Sequence, residues 1–192
     1  ERILDAEGST LANARGYCIN SKGHSQYCLR LTGRTLVFDI NEKEWVEYSG
    51  NSADAHANFT GAYSHDLGDG SPLILGNTDG ILYTLSPTTY QDNGTSILWN
   101  IITNKLDFET IHRKFGNTLY ILGDEVAGSM SVSFSDDDYA TWTTALTVSL
   151  ASTPARMSRI GAFRRRAFNF LYTGNTDYRN EGIEVDISQG VS

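Results

Sequence analysis

Six arginines between Arg156 and Arg179 and three consecutive aspartates are the residues whose types and spacing could do chemistry. Asp136, Asp137 and Asp138 form a compact acidic spot between two strand-like runs. Clustered carboxylates suit a hard cation such as calcium, but these lack the alternating ligands and distal Glu of an EF-hand loop. A solvated hairpin tip is the preferred reading. Arg159, Arg164, Arg165 and Arg166 lie in the run Arg159-Ile-Gly-Ala-Phe-Arg-Arg-Arg-Ala-Phe-Asn-Phe170. If that run is one strand, Arg164 and Arg166 share a face with Ile160, Ala162, Phe168, Phe170 and Tyr172, while Arg165 points the other way. Three adjacent arginines exceed what an edge strand needs to resist pairing. Cross-strand ion pairs with carboxylates such as Glu181, Glu184 and Asp186 are the preferred use, since such pairs are common. The alternative is contact with a carboxylate-rich partner or a phosphate backbone, which guanidinium forks suit.

Other chemistry is sparse. His24, His56, His65 and His112 are scattered, with no metal-ligand spacing. Neither Gly-x-Ser-x-Gly nor a phosphate loop occurs. No catalytic residue, metal or cofactor is expected. Asn58-Phe-Thr60 and Asn93-Gly-Thr95 match glycosylation sequons, a pattern that also arises by chance. Cys18 and Cys28 could pair across a hairpin, although two buried thiols are the commoner arrangement.

The elements that must position these residues are strands. The chain has 192 residues, of which 40% are hydrophobic and 20% charged, with 18 Gly and only three Pro. That is enough for one large all-β domain or two small ones with a real core. The formal net charge of −8 argues against binding nucleic acid by bulk electrostatics. No apolar run reaches the length of a membrane span, no signal peptide is visible, and the chain begins at Glu1 without Met, as a fragment or processed product would. Residues 1 to 16 suggest at most a helical turn. Strands are expected at 27–31, 35–39, 44–48, 59–64, 72–75 and 81–85, with a turn at Gly76-Asn-Thr-Asp-Gly80. Seven more are expected at 97–103, 106–114, 118–122, 129–135, 142–150, 157–173 and 183–187. A boundary near residue 95 separates a propeller-like blade region, 1–95, from an antiparallel β-sandwich region, 96–192.

Local motifs carry three likenesses. Ser135-x-Asp137-x-Tyr139-x-Thr141-Trp142 is similar to the Asp-box of sialidases and related propellers, with Tyr139 where the box has Gly. Its Ser and Asp side chains bond hairpin amides while the Trp packs beneath, so Ser135, Asp137 and Trp142 are structural turn residues. Gly76 to Tyr83 resembles the strand-turn-strand element of propeller blades, including those of quinone-binding propellers. Val37-Phe-Asp39…Trp45 is similar to kelch-type blades. These likenesses leave open an Asp-box propeller fragment of a glycan-binding or glycan-hydrolysing protein.

The order of motifs matches one family more fully. Leu36-Val-Phe-Asp39…Trp45 is followed by Gly76-Asn-Thr-Asp-Gly-Ile-Leu-Tyr83, then Ser135-x-Asp137…Trp142, then Arg159-Ile-Gly-x-x-Arg164-x-x-x-Phe168-x-Phe170. From about Gly23 onward this resembles the C-terminal part of the packaged-DNA stabilisation proteins, the tail-hub or nozzle subunits of short-tailed bacteriophages. The resemblance implies a structural virion protein, not an enzyme, assembled in the host cytoplasm. Its copies would form a ring beneath the portal or tail adaptor and hold a needle, tail fibre or spike. The ring would prolong the channel, help retain the genome before ejection and touch packaged DNA without sequence specificity or any membrane contact. An acidic wall would let DNA slide, and Arg159, Arg164, Arg165 and Arg166 would face a neighbouring subunit or the portal.

Overall fold

The computed structural model describes residues 12–50, 57–59, 61–66, 68, 72–76, 80–86, 88–92 and 94–190. Of these, 58% lie in strands, and none is in an α-helix. Among the described residues, every strand pair with a defined register is antiparallel and no sheet closes on itself. The helical turn expected within residues 1 to 16 falls largely outside the described residues, as do the tip of the 76–80 turn and His56. The chain divides into two compact units, Glu1–Thr95 and Ser96–Ser192.

The first unit contains a meander of β1 (Arg15–Ser21), β2 (His24–Arg30), β3 (Thr35–Asp39), β4 (Glu44–Gly50) and β5 (Ala57–Asn58). A separate three-stranded sheet comprises β6 (Gly61–His65), β7 (Leu73–Gly76) and β8 (Leu82–Thr84). Tyr17, Ile19, Cys28, Val37 and Ile74 form its core. Gly61 permits this packing, because a Cβ there would stand 2.8 Å from the Ile74 side chain. The turn after β3 is held by Asp39, whose carboxylate accepts from the amides of Asn41 (2.9 Å) and Glu42 (3.1 Å). Those amides, Glu42 foremost, hold its carboxyl below the usual range. Phe38 faces Trp45 across β3 and β4, with ring centres 5.1 Å apart. Cys18 and Cys28 are free. Their register partners are Tyr27 and Tyr17, so the two thiols lie on opposite faces of the β1–β2 ladder. Cys28 is buried, as expected, and Cys18 is exposed. Burial pushes the Cys28 thiol up to about 12.

A short ladder joins β9 (Gln91–Asp92) to β10 (Thr95–Ser96). The second unit then contributes β11 (Trp99–Ile102), β12 (Lys114–Gly123), β13 (Ser129–Ser135), β14 (Leu146–Ser149), β15 (Ala155–Phe163), β16 (Ala167–Tyr172) and β17 (Asn180–Gln189). They form two sheets, ordered β11-β16-β13-β14 and β15-β12-β17. Both sheets feed one core, with Leu119 and Ile121 from β12, Met130 and Val132 from β13, Ile160 from β15, and Phe168 and Phe170 from β16.

Three expected strands differ. The run 142–150 is a strand only over Leu146–Ser149. Residues 106–113 are not a strand. Phe108 and Glu109 adopt φ of 51° and 60°, which a strand cannot accommodate, and only Leu106 makes an isolated bridge to Arg166. The run 157–173 is not one strand either. It breaks at Arg164–Arg166, and its halves β15 and β16 belong to different sheets. The arginines therefore sit at a corner, and the face assignment made for a continuous strand does not apply.

Candidate functional site

The corner between β15 and β16 is built against the acidic turn after β13. Ser135 pairs with Ala167, so continuing the β13–β16 register sets Asp136 opposite Arg166. Arg166 is 2% exposed. Its Nε and Nη2 donate to the two Asp136 oxygens, each at 2.7 Å, a bidentate fork. Nη1 donates to the Ile160 carbonyl. The guanidinium lies between two aromatic rings, 3.9 Å from the centre of Phe134 and 4.3 Å from that of Phe163. Arg166 is thus a rivet inside the unit, and the expected partner contact through it is ruled out by burial.

The other aspartates have separate partners. Asp137 accepts from the Thr141 amide at 2.9 Å and from the Thr141 and Ser135 hydroxyls. Ser135 Oγ in turn accepts from the Tyr139 amide at 3.0 Å. These bonds, the Thr141 hydroxyl first, pull the Asp137 carboxyl down to about 2, so it stays ionised at neutral pH and is no proton donor there. Asp138 is paired with Lys105 at 3.0 Å and with Arg165 at 3.1 Å, and the Lys105 bond foremost lowers its carboxyl. The acidic spot is an exposed hairpin tip, as expected, and its carboxylates are in addition bonded within the unit. Among the described residues no group of three His, Cys, Asp or Glu is placed to hold a metal.

The turn keeps the Asp-box bonding of Ser135 and Asp137 despite Tyr139. Tyr139 adopts the left-handed φ of 71° that Gly would take freely. Its ring centre is 6.1 Å from that of half-buried Trp142, and its hydroxyl donates to the Thr103 carbonyl at 3.3 Å. Side-chain contacts thus hold a backbone conformation the residue type disfavours.

Sequence reasoning missed Lys114, which is fully buried in the corner. Its ammonium donates to the carbonyls of Thr110 (2.6 Å), His112 (2.9 Å) and Arg164 (2.7 Å). One cation thereby ties the 106–113 segment to the arginine corner, and its three donors are all satisfied by carbonyls. No sequence signal marks this, because the three carbonyls come together only in the fold. The arginine carboxylate partners were also missed: they are Asp136 and Asp138, not Glu181, Glu184 or Asp186.

What remains outward-facing is a cationic rim. Arg159 and Arg164 are exposed, Arg165 is exposed but engaged with Asp138, and Arg113, Arg164, Arg165 and Asp136 line an open depression. Ser135, Asp137 and Trp142 serve the turn. No family model matches the chain, and no curated protein matches it in sequence.

Proposed function

We propose that this chain is a structural subunit of the tail hub, or nozzle, of a short-tailed bacteriophage, extending the portal channel and helping to retain packaged DNA. The motif order along the chain, from Leu36-Val-Phe-Asp39 to the arginine run ending at Phe170, is the observation that carries the reading. On it, the first unit is propeller-like and the second a β-sandwich whose two sheets share a core. The rivet at Arg166 and the clamp at Lys114 suit such a part, since they make the corner between sheets rigid without leaving a proton donor or nucleophile free. Arg159, Arg164 and Arg165 remain as the outward cations for a neighbouring subunit, portal or adaptor. The acidic net charge suits a channel wall along which DNA slides.

Immunogold microscopy with antibody against the chain tests the assignment on virions from the source culture. Gold at the tail vertex is the expected result, and particles without label would refute it. Arg164→Glu with Arg165→Glu should reduce incorporation into those particles.

A further inference from the structure

We infer that the second unit carries two complementary sheet edges, by which copies of this chain associate head to tail with β15 of one beside β17 of the next. The inference deepens the hub reading, and rests on it for the ring such contacts would close.

The sheet β15-β12-β17 ends in two unpaired edges among the described residues. Both edge strands run antiparallel to β12. Across one face the register aligns Arg156 with Tyr120 and Tyr120 with Glu184, and the adjacent row aligns Ser158, Thr118 and Asp186. The opposite face sends Leu119 and Ile121 into the core, flanked by Met157, Ile183 and Val185. The outer face therefore grades from a cationic edge to an anionic one. With β12 between them, the backbones at Arg156 and Glu184 stand two strand spacings, about 10 Å, apart, and the two side chains form no ion pair.

The charges at both edges are exposed. Arg156 and Arg159 have no carboxylate partner among the described residues, and Glu184 and Asp186 have no cation. Glu181, by contrast, is held by Arg179 at 3.0 Å. Charged edges ordinarily prevent strands from pairing. Here that protection acts only between like edges. Two β15 edges would set arginine on arginine, and two β17 edges would set carboxylate on carboxylate, so both two-fold arrangements are repelled. The mixed arrangement is attractive, and it is heterologous, the kind that closes rings or runs on as filaments. One chain supplies both halves of the contact, which is why a second copy is the partner. Arg159 sits in a bulge, where Gly116 pairs with Gly161 but Thr118 with Ser158. The contact consequently rests on ion pairs of Arg156 and Arg159 with Glu184 and Asp186 rather than on a long continuous ladder.

Sedimentation velocity of the 192-residue chain tests this across concentration, at low and high ionic strength. Association weakened by salt is expected. Reversing one edge, Arg156→Glu with Arg159→Glu or Glu184→Lys with Asp186→Lys, should weaken it by about tenfold or more. Mixing the two variants, or combining all four changes, should restore it. Neutral variants, Arg156→Gln with Arg159→Gln and Glu184→Gln with Asp186→Asn, repeat the test if a reversed variant fails to fold. A monomeric wild type, single-edge variants that associate unchanged, or a folded mixture that does not recover would each overturn the inference. Labelled virions with unaffected association would sink this interface alone, whereas charge-dependent association without virion labelling would sink the hub reading alone.

Discussion

Removing the more exposed member of the Asp136–Arg166 pair should cost more than removing the buried one. Asp136 is 44% exposed and Arg166 only 2%. In Asp136→Asn the guanidinium stays between Phe134 and Phe163 with its charge no longer balanced. An unpaired buried charge costs about 3–5 kcal/mol, and the rings with the Ile160 carbonyl offset part of that, leaving about 3 kcal/mol. In Arg166→Met an unbranched apolar chain fills the slot between the rings. The Asp136 carboxylate can then turn to water, and the main loss is the donor to the Ile160 carbonyl, about 2 kcal/mol. The double variant should fall short of the sum by about 2 kcal/mol, because the partners touch. Urea unfolding followed by tryptophan fluorescence measures this in a Trp45→Phe background, where Trp99 and Trp142 report on the second unit alone. For a slope near 2 kcal/mol/M, Asp136→Asn moves the midpoint by about 1.5 M. If Asp136→Asn costs less than Arg166→Met, or the coupling is under about 0.5 kcal/mol, the reasoning fails.

Three further outcomes follow from the same unit. The Asp137 carboxyl is depressed to about 2 in the folded state, so its stabilisation is present above the ordinary carboxylate range and lost as pH falls from about 4 towards 2. Asp137→Asn should flatten the stability of the second unit across that window, as followed by tryptophan fluorescence during acid titration. Tyr139→Gly should stay within about 1 kcal/mol of wild type in urea unfolding, as relief at φ 71° offsets the lost ring contact, whereas β-branched Tyr139→Val should cost about 2 kcal/mol. Gly116→Ala would put a Cβ 2.2 Å from Ile160 Cγ1, and overpacking of that kind costs about 1–3 kcal/mol. Thermal melts of Gly116→Ala, alone and with Ile160→Ala, should show the clash relieved in the pair.

By itself the sequence determined the all-β class and the segments whose forces are local. The run 35–39 alternates buried and half-buried positions and is β3, and 129–135 is β13. The turn bonds of Ser135, Asp137 and Thr141 span no more than four residues, so their spacing is legible directly. Only the tertiary structure decided the rest. The segment 106–113 has apolar residues at strand-like intervals, yet Lys114 gathers its carbonyls with that of Arg164, fifty positions away. The arginine run reads as one strand because residue type says nothing about a change of sheet. Arg166 became a rivet and Arg164 stayed outward because of the β13–β16 register, which brings Asp136 to one and not the other. Long-range pairing, unlike a turn, depends on which distant strands share a core, and that choice belongs to the whole chain.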